Sequence, residues 1–229
     1  MKTKISVAAM TCALCVSNGV FAVSLTEPVG SFGDFVISGT TAAARPELAG
    51  VVLEDEISYF TISGAGESFS GQIQNRVVRS IDGTLDFYWR ITPLDGIGDI
   101  SAFRVGGFSD FTLDADWRID GLGTAAPDVA RYFGNTAGSV NFLFNTNEVG
   151  IGESSMFFFL DTQATYYART GEFDLLCADT GCISSLYSTF APSAVPLPAA
   201  AWLFGSGLMG LMAISRRAKR EDKISKSIM

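Results

Sequence analysis

Carboxylates are the chemical groups this chain has in quantity: 24 Asp and Glu stand against 16 Lys and Arg, and there is no histidine in 229 residues. Without an imidazole, neither a Ser-His-Asp nor a Cys-His nucleophile can be assembled, and no His-containing zinc site can form. Carboxylates can still hold a hard cation or, as a facing pair with one raised pKa, cleave a glycosidic bond. Asp110, Asp114 and Asp116 share one face by strand parity, and with Asp120 they make the best-spaced oxygen set for Ca²⁺. The same four fit the solvated outer face of an acidic domain. Asp95-Gly-Ile-Gly-Asp99 reads as a turn before it reads as a cation loop, and Glu54-Asp55-Glu56 as a solvated charge run. No pair of acids is singled out as a hydrolytic dyad, and no G-x-S-x-G, G-x-G-x-x-G or Walker loop occurs. No catalytic residue, metal ligand or cofactor is therefore assigned, and the chain is expected not to be an enzyme. Exposed aromatics are the remaining chemistry. Tyr88 falls on the nominal outer face of its strand and Tyr166-Tyr167 put one ring on each face, so stacking on sugars is the binding alternative to ordinary sheet packing.

The distribution of charge separates a body from two ends. All five lysines lie at Lys2, Lys4, Lys219, Lys223 and Lys226, whereas residues 23–195 hold eight Arg, no Lys and 22 Asp and Glu, a net charge of −14. A body this negative repels phosphate backbones, which excludes nucleic acid as a partner held by counterion release. Residues 1–22 have the order of a secretory leader: Met-Lys-Thr-Lys, an apolar run from Ile5 to Val16, then small residues before Ala22-Val23, the expected cleavage point. Cys12 and Cys15 leave with that leader. Cys177 and Cys182 remain, and in an oxidising compartment they are expected to close a short disulfide loop worth about 2 kcal/mol; two free thiols are the alternative. Two thiolates alone cannot complete a zinc tetrahedron.

Residues 191–198 read as a linker that ends in Pro196-Leu197-Pro198, where each proline removes a backbone donor and holds the chain extended. Residues 199–215 are 17 uncharged, mostly apolar positions, just long enough to cross ~30 Å of hydrocarbon as a helix. Trp202 suits the outer interface. Arg216, Arg217, Lys219 and Arg220 form the basic stop at the inner end of a tail covering 216–229, which places the C-terminus in the cytoplasm and the acidic body outside.

These C-terminal residues resemble a known sorting signal. Val195-Pro196-Leu197-Pro198-Ala199, the run Trp202-Leu203-Phe204-Gly205-Ser206-Gly207-Leu208 and the Arg216-Arg217 cluster look like the VPLPA variant of the PEP-CTERM protein-sorting domain. The resemblance implies export through the secretory translocon and signal peptidase, recognition by an exosortase-type processing enzyme in the inner membrane, cleavage near the motif, and delivery to the cell surface or its polysaccharide matrix. The family's namesake has Glu between the prolines, where this chain has Leu197. The signal is an address rather than an activity. More loosely, the body resembles the extracellular domains of other exported proteins with such tags, which names no activity.

The body, 23–190, has to position whatever it presents, and its pattern is all-β. Residues 84–92 alternate Leu85, Phe87, Trp89 and Ile91 against Thr84, Asp86, Tyr88 and Arg90, and 110–119 alternate Phe111, Leu113, Ala115, Trp117 and Ile119 against acids and Arg118. Asp82-Gly83 marks a hairpin between 77–81 and Leu85. Further strands are expected at 34–38, 51–53, 57–63, 68–74, 99–105, 139–144, 155–161, 164–169 and 172–176, with Phe157-Phe158-Phe159 covered on both faces. A short helix is expected over 127–132. Short strands at regular spacing predict an antiparallel, jelly-roll-like β-sandwich. The function expected is that of a non-catalytic surface or matrix component, with binding of exopolysaccharide as the alternative and carboxylate-based glycoside hydrolysis behind it.

Overall fold

The computed structural model describes residues 22–64, 66–134, 138–178 and 182–193. The leader up to residue 21, the sorting motif, the expected span and the basic tail lie outside the described residues. Among the described residues no helix is long and apolar enough to cross a membrane.

Twelve strands and one 3-10 turn, Pro46–Leu48, account for the regular structure of the body. In chain order the strands are β1 (Val23–Leu25), β2 (Phe32–Val36), β3 (Val51–Gly64), β4 (Glu67–Arg79), β5 (Leu85–Ile97), β6 (Ile100–Gly106), β7 (Leu113–Trp117), β8 (Val129–Phe133), β9 (Ser139–Leu143), β10 (Phe158–Thr162), β11 (Tyr167–Cys177) and β12 (Tyr187–Pro192). They form two six-stranded sheets, ordered β1-β7-β10-β5-β4-β3 and β12-β11-β6-β9-β8-β2. Every ladder between named strands is antiparallel. The two sheets pack face to face as a β-sandwich.

Period-2 alternation places the core where the sequence predicts it. Leu85, Phe87, Trp89 and Ile91 are all buried against the second sheet. Trp89 lies 5.4 Å from Phe103 and 6.3 Å from Phe142 across the layers, and Phe158 meets the same two rings at 5.1 and 4.7 Å. Each such ring contributes about 1.5–3 kcal/mol through the apolar area it loses to water. The Phe157-Phe158-Phe159 run is covered on both faces as expected: Phe158 enters the inter-sheet core, while Phe157 and Phe159 join Leu48, Val78 and Tyr88 in a second cluster. The Asp82-Gly83 hairpin forms, with Gly83 at φ 91° and the Asp82 carboxylate accepting from the Thr84 N–H and hydroxyl.

Several boundaries differ from the expectation, each for a physical reason. Residues 51–53 and 57–63 are one 14-residue strand, because a bulge between Val52 and Glu54 lets pairing with β4 continue through the acidic run. Residues 167–169 of the expected 164–169 strand likewise merge with 172–176 into β11 across an irregularity between Ala168 and Gly171, while 164–166 lie outside any strand. β5 runs through Asp95 to Ile97, so the expected Asp95–Asp99 turn shrinks to Gly98 and Asp99. The helix expected over 127–132 is strand β8. Val129, Tyr132 and Phe133 suit a pleated surface, and β2 and β9 offer ladders on both sides. β12 extends to Pro192, so Ala191 and Pro192 of the expected linker belong to the sandwich.

The segment between β2 and β3 lies over the outer face of the first sheet. The Thr40 N–H donates to the Trp117 carbonyl, the Ala42 N–H to the Asp120 carboxylate, and the Gly39 N–H to the Asp116 carboxylate. Gly39 sits at φ +82°, and a Cβ there would stand 2.6 Å from the Trp117 ring, so only glycine allows this close approach. The strap brings Leu48 onto Tyr88, Phe157 and Phe159.

Candidate functional site

Antiparallel register builds a row of polar residues straight across the outer face of the second sheet. Asp34 on β2 pairs with Arg131 on β8, Arg131 with Asn141 on β9, Asn141 with Arg104 on β6, and Arg104 with Asp174 on β11. With strands ~4.8 Å apart, the five positions span about 19 Å. The sequence Asp-Arg-Asn-Arg-Asp is mirror-symmetric about the asparagine.

Both arginines are fixed by forked contacts to a carboxylate. Arg131 donates from Nε to Asp34 Oδ1 at 2.6 Å and from Nη2 to Asp34 Oδ2 at 2.8 Å. Arg104 donates from Nε to Asp174 Oδ1 at 2.6 Å, and its Nη2 donates to Asp174 Oδ2. Planar pairing of this kind leaves each guanidinium one free edge in a defined direction. Arg131 holds the Asp34 carboxyl below its ordinary range, chiefly through that hydrogen bond. Asp174 in turn holds Arg104 further above its own ordinary value, the hydrogen bond again being the main cause. The Asn141 amide, half-buried between the two arginines, finds no hydrogen-bond partner among the described residues.

A cleft of about 460 Å³ lies over the Asn141-Arg104-Asp174 part of this row, lined also by Glu172, Phe133 and Leu186, among others. At the β2 end, Phe133 packs against Phe32 with ring centroids 5.8 Å apart, and Arg131 lies over the Phe32 ring. Phe32 is 61% exposed and Leu186 65%. The arrangement combines fixed donors, fixed acceptors, one amide that offers both, and apolar surface at each side. Groups set out in this way can hydrogen-bond hydroxyls or amides arranged along a line, with apolar C–H surface beside them.

The residues singled out by sequence are dispersed by the fold. Asp110, Asp114, Asp116 and Asp120 do not converge as a cation site. Asp110 is exposed at φ 68°, and Asp120 is paired with Arg118 at 2.8 Å. Asp116 is buried, with Oδ1 accepting from the Gly39 and Trp117 N–H groups. Among the described residues, the one cluster with metal-ligand spacing is Glu67, Cys177 and Cys182, and its two sulfurs are joined in a disulfide with Cα atoms 5.3 Å apart. Tyr88 offers no ring face for stacking on a sugar: it is 4% exposed, with its ring packed against Phe157 and Phe159 beneath the strap. Tyr167 donates from its hydroxyl to Glu54 at 2.8 Å, and Tyr166 is 46% exposed. The Glu54-Asp55-Glu56 run is partnered rather than merely solvated. Glu54 takes Tyr167, Asp55 takes Gln74 and Arg76, and Glu56 takes Arg169.

A second acidic grouping lies under the strap. Asp86 on β5 and Asp161 on β10 are directly opposite, and Asp114 on β7 is opposite Asp161 on its other side. Asp86 is fully buried and Asp161 is reached by Arg45 at 2.6 Å. Burial, then the Asp161 charge, pushes Asp86 up to about 8; burial also raises Asp161, with Arg45 opposing it. A hydrolytic dyad must touch its substrate on both sides. Here Asp86 is fully buried and the half-buried Asp161 is held by Arg45, so the two carboxyl groups do not face a common cleft as a free pair.

The polar row itself escapes sequence reasoning, since its members come from five strands and no local spacing joins them. The chain matches no protein-family model, no curated protein and no solved structure.

Proposed function

We propose that this chain is an exported, surface-sorted protein of the VPLPA/PEP-CTERM type whose body is a non-catalytic binding module for the saccharide polymer of the cell surface or matrix. The address is supported by the leader, by Val195-Pro196-Leu197-Pro198-Ala199 and by the basic stop Arg216, Arg217, Lys219 and Arg220. Its processing partners are the translocon, signal peptidase and an exosortase-type enzyme. Winding of consecutive strands between the layers, as at β5 to β6, β6 to β7, β9 to β10 and β10 to β11, supports a jelly-roll-like description of the sandwich.

The single observation that carries the binding reading is the row Asp34-Arg131-Asn141-Arg104-Asp174, of which Asn141, Arg104 and Asp174 line an open cleft. Full burial of Asp86 and the engagement of Asp161 by Arg45 argue against the hydrolase reading.

Affinity electrophoresis of the exported protein through gels containing the producer's own exopolysaccharide tests the proposal. Retardation that Asn141→Ala and Arg104→Gln each weaken is the expected result; unretarded migration through the native polymer removes the binding reading. Intact mass of the surface form tests the address, with a species beginning at Val23 and ending near Pro196–Ala199 expected.

A further inference from the structure

We infer that the outer face of the first sheet carries a second ligand site, a pocket of about 390 Å³ built around Tyr88, Arg76, Arg118, Gln74 and Phe157, which takes a carboxylate borne on a compact ring, such as an acidic sugar. The inference does not depend on the saccharide row of the opposite sheet.

Three of the body's eight arginines gather at this place. Arg76 stands directly opposite Tyr88 across β4 and β5, and its guanidinium lies 4.7 Å from the Phe157 ring centre. Arg90 lies over the same ring at 5.9 Å and donates to Ser154 Oγ at 2.9 Å. Arg118 is held by Asp120 through Nε and Nη2 at 2.8 and 3.0 Å, and Arg76 by Asp55 at 2.8 Å. Arg76 and Arg118 line the pocket and Arg90 stands behind the Phe157 ring, so the pocket presents guanidinium edges already oriented by Asp55 and Asp120.

The donors are also incompletely used. The Tyr88 hydroxyl, the Arg76 Nε and the Arg90 Nε are shut off from water and have no hydrogen-bond partner. Arg118 is near enough to Tyr88 to interact with its hydroxyl electrostatically, yet no contact between them has hydrogen-bond geometry. Buried donors without acceptors are costly, and native proteins keep few of them. A carboxylate entering between Arg76 and Arg118 is the acceptor this group lacks, and the forked geometry of guanidinium favours a carboxylate over a point anion. Leu48, Val52, Val78 and Leu122 complete the wall with apolar surface, which suits a ring and not a bare inorganic ion.

Isothermal titration calorimetry of the exported protein, purified in detergent, with sodium glucuronate, glucose and sodium sulfate as separate titrants tests this. Glucuronate is expected to bind and the other two not to. Tyr88→Phe is the diagnostic variant, because it removes an unpartnered buried hydroxyl: thermal stability should hold or rise while glucuronate affinity falls about tenfold or more. Arg118→Gln should weaken binding to a similar degree. Absence of glucuronate binding, equal binding of glucose or sulfate, or undiminished affinity in Tyr88→Phe and Arg118→Gln would each overturn the assignment.

Discussion

Asp161 stands directly opposite Asp86 on the neighbouring strand, and Arg45 reaches down from the strap to Asp161, at 2.6 Å, and not to Asp86. Asp86 accepts one hydrogen bond, from Ser80 at 2.6 Å, and its second oxygen has no partner. The pair therefore carries one charge comfortably and a second only at a cost.

That asymmetry fixes a pH dependence. The Asp86 carboxyl, pushed up to about 8, binds a proton more tightly in the fold than in the unfolded chain. Its contribution is fully present below the ordinary carboxylate range and is lost as pH rises through 8. Asp86→Asn keeps an acceptor for Ser80 and cannot ionise. Its melting temperature at pH 8 is expected about 2–8 °C above the parent, equivalent to about 1–2 kcal/mol, with the difference vanishing near pH 4. Thermal unfolding by circular dichroism across that range measures it; equal melting curves at pH 8 would show that Asp86 is already ionised without strain.

How far the sequence discloses this arrangement depends on the range of the interaction. Alternation over 84–92 is a local property, and it places Leu85, Phe87, Trp89 and Ile91 correctly in the core. The same alternation assigns Tyr88 to the outer face correctly but cannot report that residues 37–50 come back to cover that face. For the same reason Asp86 reads as solvated and is in fact fully buried. The row from Asp34 to Asp174 is wholly a product of register between strands up to 140 residues apart, counted as the difference of those two numbers. Single residues such as Asn141 and Arg104 have no local feature that marks them.

A buried relay ties the last strand to the core. Trp89 Nε1 donates to Thr189 Oγ1 at 3.0 Å, and that hydroxyl donates to Asn75 Oδ1 at 3.0 Å, so the first and second sheets are bonded through their apolar interface. Thr189 and Asn75 are each 1% exposed. Thr189→Val keeps the shape and strands both partners, and a loss of about 2–4 kcal/mol is expected from two orphaned polar groups. Chemical denaturation reads this, and a loss below about 0.5 kcal/mol would mean that the relay contributes little to the fold.

Reduction of Cys177–Cys182 should be mild. The bond spans a sequence separation of 5 at the end of β11, where the Cys177 N–H already donates to the Cys182 carbonyl at 3.1 Å. So short a loop removes little entropy from the unfolded chain, about 2 kcal/mol. The reduced protein is expected to melt about 4–8 °C lower and to retain its sheet signal. Loss of cooperative unfolding on reduction would place the disulfide among the determinants of the fold itself.

The two ends of the polar row separate stability from binding. Asp34 and Asp174 hold equivalent arginines, but the Asp34 side chain is 46% exposed and that of Asp174 only 11%. An exposed pair of this kind is worth about 0–1 kcal/mol; Arg104 is as exposed as Arg131, but the Asp174 carboxylate is itself largely covered, so losing its charged hydrogen bonds costs about 1.5–3 kcal/mol. Asp34→Ala is therefore expected to leave unfolding nearly unchanged, and Asp174→Ala to lower it clearly. If both carboxylates orient arginines for a polysaccharide, the two variants should nevertheless lose gel retardation to a similar extent, because each frees one guanidinium to swing out of line. A loss of retardation that tracks stability alone, severe in Asp174→Ala and absent in Asp34→Ala, would mean that the row braces the sheet and that the polymer is held elsewhere.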